Sequence, residues 1–479
     1  MTFSISGERN LTMLTDLYQL TMANGYFECG MYNRRAAFDL FYRGSGGYSY
    51  AVAAGLEQVT EYIRNLHFSE ADIAYLRSLG IFGEKFLTAL ADFRFTGDIK
   101  AVPEGTVVFP GEPIVSVRAP LWEGQLVETA LLTLVNHQTL IATTAARLCA
   151  CTDAAILEFG LRRAQGPDAG VYGARAAYIG GCRSTSNVLA GQMFGIDVKG
   201  THAHSWVMAF PSELDAFRAY AKAYPDGCLL LVDTYDTLGS GVPNAIRVFD
   251  ELKAAGHKPM GIRLDSGDLA YLSREARRML DEAGHKDCKI FASNDIDENV
   301  LLSLGAQQAA IDVYGIGTKL ITSFHNASLG GVYKLCAIEE NGRMVPRCKV
   351  SDSHEKTTNP GLKKVVRIYQ DGMAEADLIC LENETINTDE PLTIFHPEQT
   401  YKRKTFRRFE VKELLVDVFK DGKLVYDLPS LEEIGRNFDR SSAEFFPEYK
   451  RVVNTQYYKV DLSEKLWTLR NELLTEEHR

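Results

Sequence analysis

Four sets of residues in this 479-residue chain have types and spacing able to do chemistry. In Ile262-Arg263-Leu264-Asp265-Ser266-Gly267-Asp268 an arginine and a carboxylate stand two residues apart. On an extended strand such residues share a face, so Arg263 and Asp265 can look into one opening. A guanidinium gives forked donors to an anion. A carboxylate accepts ribose hydroxyls or holds a metal ion on a pyrophosphate. Ser266 and Asp268 also have a plainer use, as caps of a helix starting at Leu269. The second stretch comprises Phe291 to Asp297 and Tyr314 to Lys319, in which small residues follow apolar runs and helices begin behind them. Backbone N–H groups of such turns cradle phosphate, with Ser293, Asn294, Gly315, Gly317 and Thr318 as the lining. Third is Gly200-Thr201-His202-Ala203-His204-Ser205-Trp206. One of its two histidines is expected to act and the other to be a buried structural side chain, with the flanking hydroxyls available to phosphate oxygens. Fourth, Glu158-Phe159-Gly160-Leu161-Arg162-Arg163 joins an aromatic to two guanidiniums, a set suited to a flat anionic ring, or else a surface arginine pair covering a helix.

The elements that must position these groups are short apolar runs alternating with amphipathic stretches from about residue 154. The runs are Ala155 to Leu157, Leu229 to Val232, Met260 to Ile262, Lys289 to Phe291 and Ile311 to Val313. Between them, Val242 to Ala255 and Asp268 to Ala283 have helical spacing, with Pro243 in a first turn and Gly256 and Gly284 at the expected left-handed caps. Strands alternating with helices predict a parallel sheet covered by helices. The residue types that end the runs, Glu158, Asp233, Asp265, Ser293 to Asp295, then Gly315 and Gly317, are polar or flexible. A β/α barrel gathers all its strand ends on one rim, whereas an open doubly wound sheet converges only at its switch point. The fold class predicted is therefore α/β, an irregular β/α barrel over 131–330. An α+β domain precedes it at 1–130, with a helix at Leu11 to Phe27 and strands at Ala37 to Arg43 and Val107 to Val117, the second folded back at Pro110-Gly111. A β-containing region, 331–479, completes the N-terminal domain and carries a tail, with strands at Val332 to Ile338 and Lys364 to Ile368. The tail's basic cluster, Lys402, Arg403, Lys404, Arg407 and Arg408, reads as a solvated or interface face.

Bulk properties narrow the class. A net charge of −11 argues against a nucleic-acid scaffold and an anionic membrane surface, though not against a small anion. The polar stretch Met1 to Asn10 has no apolar h-region, and no apolar run reaches the roughly 18 residues a membrane span needs. Nine cysteines without framework spacing read as reduced thiols of a cytosolic compartment. Cys149 and Cys151 form the one close pair, and no second pair or neighbouring histidine completes a zinc site. There is no Gly-x-x-x-x-Gly-Lys-Ser/Thr loop, Gly-x-Ser-x-Gly elbow or His-Glu-x-x-His helix.

Taken together, Leu14-Thr15-Asp16-Leu17-Tyr18-Gln19, Glu158 to Gly166, Gly200 to Trp206 and Leu264 to Asp268 resemble the bacterial nicotinate phosphoribosyltransferase family, over most of the chain. The resemblance implies a type II phosphoribosyltransferase fold and the substrates nicotinate and phosphoribosyl pyrophosphate. It implies nicotinate mononucleotide and pyrophosphate as products, with coupled ATP hydrolysis and Mg²⁺ carried mainly on substrate phosphates. His204, the histidine before Ser205, matches the family's phosphorylated histidine, and Asp233 its acidic partner. Phe159 and Tyr18, the latter from a second subunit of a homodimer, match the aromatic clamp on the pyridine ring. Arg162 and Arg263 match the arginines near nicotinate and phosphates, Asp265 the ribose or metal contact, and Ser293, Asn294, Gly315 and Gly317 the 5′-phosphate cradle. Lysines of the 349–364 loop are expected to reach ATP. The alternatives are the same fold acting on nicotinamide or quinolinate, a barrel lyase or aldolase using Lys319 as a Schiff base, and a non-catalytic phosphoribosyl-binding regulator.

Overall fold

The computed structural model describes residues 10–44, 49–350 and 357–476. Most of the polar N-terminal stretch and Lys356 of the 349–364 loop lie outside the described residues. The chain forms two compact units, Met1–Thr143 with Ser328–Arg479, and Thr144–Ala327.

The second unit carries the strand–helix alternation. Its strands are β1 (Ala155–Glu158), β2 (Ser184–Thr185), β3 (Asp197–Val198), β4 (Leu229–Leu231), β5 (Gly261–Leu264), β6 (Lys289–Asn294) and β7 (Val313–Ile316). All pair in parallel, in the order β3-β2-β1-β7-β6-β5-β4. The helices are α1 (Pro167–Ile179), α2 (Val188–Phe194), α3 (His204–Met208), α4 (Glu213–Ala223), α5 (Val242–Ala254), α6 (Leu269–Glu282), α7 (Glu298–Ala306) and α8 (Thr318–Ile321). The apolar runs became strands because both faces are covered: Leu229 to Val232, Ile262 and Ile290 are buried. The expected caps formed. Asp268, rather than Ser266, accepts the Tyr271 N–H at 3.0 Å to start α6, and Gly256 and Gly284 take φ of 84° and 83°. Gly261 has no room for a Cβ, which would fall 1.9 Å from the Lys289 carbonyl oxygen, so β5 and β6 require glycine there. The sheet is an incompletely closed barrel, with no ladder between β3 and β4.

His202 precedes α3 and His204 opens it. One expectation shifts. Glu158 ends β1 but is buried, accepting from Gly160 N–H and, at 2.5 Å, from the Thr185 hydroxyl. It ties β1 to β2 rather than lining the rim, and burial raises its carboxyl pKa.

The first unit is built on two larger sheets. One has seven strands, in the order Arg343–Pro346, Gly331–Glu340, Arg35–Tyr42, Val115–Pro120, Asp98–Ala101, Val416–Lys420 and Lys423–Leu424, all antiparallel. The other has six, in the order Arg403–Phe406, Leu392–Phe395, Val460–Leu462, Met373–Leu381, Lys363–Gln370 and Glu410–Glu413. The run from Val107 folds back at Pro110-Gly111 as expected, Gly111 taking a φ of 84°. The helix read from Leu11 starts only at Leu17. Ahead of it, Asn10 and Thr12 side chains bond backbone N–H groups of Thr12 and His67, competing with helical bonding. Of the basic cluster, Lys404 pairs with Glu375 at 2.5 Å. Among the described residues no helix is long and apolar enough to cross a membrane.

Candidate active site

The carboxyl ends of β1, β5, β6 and β7 and the start of α3 open on one cavity of about 340 Å³. It is lined by Phe159, Arg162, Arg163, Ala203, His204, Arg263, Asp265, Ser293, Asn294, Asp295, Gly315, Gly317 and Thr318. Ten residues expected at the site, Phe159, Arg162, His204, Arg263, Asp265, Ser293, Asn294, Gly315, Gly317 and Thr318, are therefore neighbours.

Each strand end sets its group differently. β1 delivers Phe159, whose N–H donates to the Ile316 carbonyl at 2.9 Å, so the ring leaves the sheet beside β7. Gly315 permits this: a Cβ there would lie 2.6 Å from Cδ2 of the Phe159 ring. A short 3-10 turn, Leu161–Arg163, then exposes Arg162 and Arg163. β5 carries Arg263 and Asp265 on one face, as their spacing predicts. Arg263 is largely desolvated and its Nε has no partner. Burial lowers its pKa, the carboxylates of Asp265 and Asp233 oppose this, and Arg162 adds like-charge repulsion. Two guanidiniums held near one another, one lacking a full set of acceptors, form a site that favours an anion.

Asp265 receives the Ser293 hydroxyl from β6 and lies 3.7 Å, through Oδ2, from Nε2 of His204. The other ring nitrogen of His204, Nδ1, is 3.2 Å from the Thr234 hydroxyl. The carboxylate within reach of His204 is thus Asp265. Asp233, given as the histidine's partner by the resemblance, accepts instead from Asp265 N–H at 2.8 Å and the Ser266 hydroxyl at 2.7 Å. Its Oδ1 is buried with no partner. Asp233 shapes the turn that aims Asp265. On β6, Asn294 takes φ 157° and its Oδ1 accepts from Asp295 N–H at 2.8 Å, a backbone state that side chains seldom adopt outside functional sites. Gly317 and Thr318 start α8 at the next strand end.

His202 has a structural place. It is buried, accepts from Leu231 N–H at 3.3 Å through Nε2, and meets the Tyr220 ring edge-on at 4.7 Å. The Thr201 hydroxyl, expected to be open to phosphate, is occupied by the Leu229 carbonyl at 2.5 Å. Asp295, read from sequence as one of the strand-end residues, lines the cavity too; Thr234 belongs to no motif and was findable only as the neighbour of Asp233 on a strand end. Lys319 is engaged with the Phe324 ring, its Nζ 3.2 Å from the centroid. Tyr18 belongs to the first unit, exposed on the helix Leu17–Glu28, with its hydroxyl 3.1 Å from Glu128. Of the loop lysines, Lys363 is buried in an ion pair with Asp39 at 2.8 Å and Lys364 pairs with Glu413 at 2.7 Å, which leaves Lys349 as the described candidate for ATP. Among the described residues no three metal-ligating side chains cluster.

Comparison with known proteins places this geometry. Family models described as nicotinate phosphoribosyltransferase N-terminal domain, family and C-terminal domain match residues 13–136, 154–387 and 362–470. Nicotinate phosphoribosyltransferase of Bacillus subtilis is 47% identical over 465 residues, covering 96% of this chain and 94% of its own. The Homo sapiens protein of that name is 36% identical, covering 96% of each. The crystal structure of human nicotinic acid phosphoribosyltransferase superposes with a TM-score of 0.85 at 34% identity, over 96% of this chain and 99% of that one. A nicotinate-nucleotide pyrophosphorylase from Pyrococcus furiosus shares the fold, with a TM-score of 0.71 at 20% identity, 93% of this chain and 98% of that one being covered. This chain belongs to the nicotinate phosphoribosyltransferase family.

Proposed function

We propose that the chain transfers phosphoribose from phosphoribosyl pyrophosphate to nicotinate, giving nicotinate mononucleotide and pyrophosphate, the entry step of NAD salvage from nicotinate, with ATP hydrolysis coupled to it. The carrying observation is the convergence of Arg162, Arg263, Asp265, His204 and the β6–β7 cradle on one strand-end cavity. The pyridine nitrogen of nicotinate bears no proton at neutral pH, so its lone pair can attack the anomeric carbon without a general base. Catalysis is then a matter of placement and charge. Phe159 stacks the ring, the arginines hold its carboxylate and the departing pyrophosphate, and backbone N–H groups at Gly317 and Thr318 hold the 5′-phosphate, with Gly315, Ser293 and Asn294 beside them.

His204 is the acceptor of the ATP γ-phosphoryl group. A ring nitrogen attacks phosphorus, and the bond to the ADP oxygen breaks with its electron pair on ADP. Asp265 steadies the positive charge that develops on the ring. The phosphoryl group later passes to water, with the N–P bond breaking. While present it adds nearly two negative charges beside Arg263, which organises the cationic groups for the diphosphate substrate. The donors present suit Mg²⁺ brought in on that substrate: the carboxylate of Asp265 and the orphan Oδ1 of Asp233 would hold it, the phosphates completing the shell. Bound there, it neutralises charge on the leaving group. A homodimer supplying Tyr18 to the ring and a cytosolic location complete the reading; the nine free thiols support the latter.

The test is product formation from labelled nicotinate, with nicotinamide and quinolinate as competitors, alongside acid-labile phosphate on the protein after incubation with ATP and Mg²⁺. Nicotinate mononucleotide and phosphate that disappears in His204→Ala are expected. ATP-coupled turnover surviving in His204→Ala would refute the histidine's role, and preference for another base would refute the substrate.

A further inference from the structure

The parallel sheet has two free edges, β3 and β4, and no backbone ladder joins them. On β4, residues Cys228 and Val232 bond toward β5: Met260 N–H donates to the Cys228 carbonyl at 2.9 Å and Val232 N–H to the Arg263 carbonyl at 3.2 Å. Strand alternation therefore turns the backbone groups of Leu229 and Leu231 to the open side. Buried backbone groups need partners. Here they are found in side chains: the Thr201 hydroxyl donates to the Leu229 carbonyl at 2.5 Å, and Leu231 N–H donates to Nε2 of His202 at 3.3 Å. A neighbouring strand's backbone would make the same two bonds.

As an acceptor at Nε2, the His202 ring must be neutral with its proton on Nδ1, which lies 3.4 Å from the Ala203 carbonyl. Burial supports that state by pushing its pKa down to about 4. By contrast, His204 has few restraints of its own. Its side chain is 39% exposed, its two polar contacts are the 3.2 Å approach to Thr234 and the 3.7 Å approach to Asp265, and α3 lacks a side-chain cap. Its position is inherited from the backbone before it.

We propose that Thr201 and His202 are positioning residues for His204: by suturing segment 201–204 to the open edge of β4, they fix where the His204 ring enters the cavity. This rests on the reading of His204 as the reactive group.

The experiment uses the full chain labelled with ¹⁵N in its histidine rings. His202→Phe keeps the aromatic bulk and loses the acceptor; His202→Gln keeps an acceptor oxygen. In His202→Phe the His204 ring resonances are expected to move. Its kcat and phosphate uptake from ATP should fall about 10- to 100-fold, as misplacement of a reacting group does. KM for nicotinate should stay within about twofold, because ring binding is untouched. His202→Gln should restore both resonances and kcat. Wild-type resonances and kcat in His202→Phe would overturn the inference. Should that variant fail to fold, Thr201→Val against Thr201→Ser reads the same two quantities at the other stitch. If the wild-type protein takes up no phosphate, the phosphohistidine reading fails alone, and the resonances and kcat ratios still decide the positioning role.

Discussion

Gly315→Ala tests whether Phe159 is the platform for the pyridine ring. Gly315 lies inside β7, paired with Ser293 of β6 on one side and Leu157 of β1 on the other, so its backbone is fixed from both edges. The added methyl would lie 2.6 and 2.7 Å from two carbons of the Phe159 ring. Carbon–carbon contacts settle near 3.5–4.0 Å, so the ring must withdraw by about 1 Å. It can do so because Phe159 is only half-buried. The fold should lose about 1–3 kcal/mol as an overpacked site, and the pyridine should lose its offset stack. Stacking contributes about 0.5–1.5 kcal/mol beyond area burial, equivalent to a roughly 2- to 12-fold rise in KM for nicotinate. The assay is steady-state turnover with nicotinate varied at saturating phosphoribosyl pyrophosphate, and then the reverse. Gly317→Ala is the control. Its methyl would meet the Phe159 backbone oxygen at 3.1 Å, not the ring, so its effect should appear on the phosphorylated substrate. An unchanged KM for nicotinate in Gly315→Ala, or equal losses for both substrates, would refute the stacking role.

Arg263→Met should raise KM for phosphoribosyl pyrophosphate about 10- to 100-fold, the worth of a charged hydrogen bond of about 1.5–3 kcal/mol, while raising the thermal midpoint, because it removes a desolvated guanidinium whose Nε is unpartnered. Kinetics and a melting curve on one sample check both halves. In the first unit, Arg367 and Asp377 form a fully buried pair at 2.7 Å, so Asp377→Asn should cost about 3–5 kcal/mol in urea unfolding. Glu112→Gln, by contrast, should be within about 1 kcal/mol of wild type, because burial and Asp377 push the Glu112 carboxyl pKa up, toward the neutral form that the amide mimics. His202 sets an acid limit. Its pKa falls from 6.5 to about 4 on folding, by burial first and by the nearby charges of Arg263 and His204. Below pH 6.5 the unfolded chain binds the proton more readily, so stability declines as pH drops toward 4, by at most about 3 kcal/mol. Urea midpoints against pH should show that slope in the wild type and a shallower one in His202→Gln.

What the sequence made legible follows from which physics is local. Buried parallel strands appear as apolar runs, and the polar residues ending them mark the rim, so Arg263, Asp265, Ser293 and Gly315 could be placed before any coordinates. Helix caps are as local: Asp268 and Gly284 carry their own conformational preference. The parts that stayed hidden depend on pairing across the fold. β2 and β3 have two residues each and no apolar run, and β3 is exposed. Only their hydrogen bonds to β1 and to each other make them strands, and only Thr185 shows that Glu158 faces inward. The placement of Asp233 and Asp265 is of the same kind. Both end strands with equal chemistry, and a 2.8 Å bond from the Asp265 N–H decides which carboxylate orders the turn and which is left facing His204. The two histidines make the point most sharply. Residue type and spacing leave their roles open, because a histidine serves equally as an acceptor for a stray backbone N–H or as a reactive ring. The unladdered edge of β4 breaks the tie by taking His202 for itself, and that capture delivers His204 to the cavity.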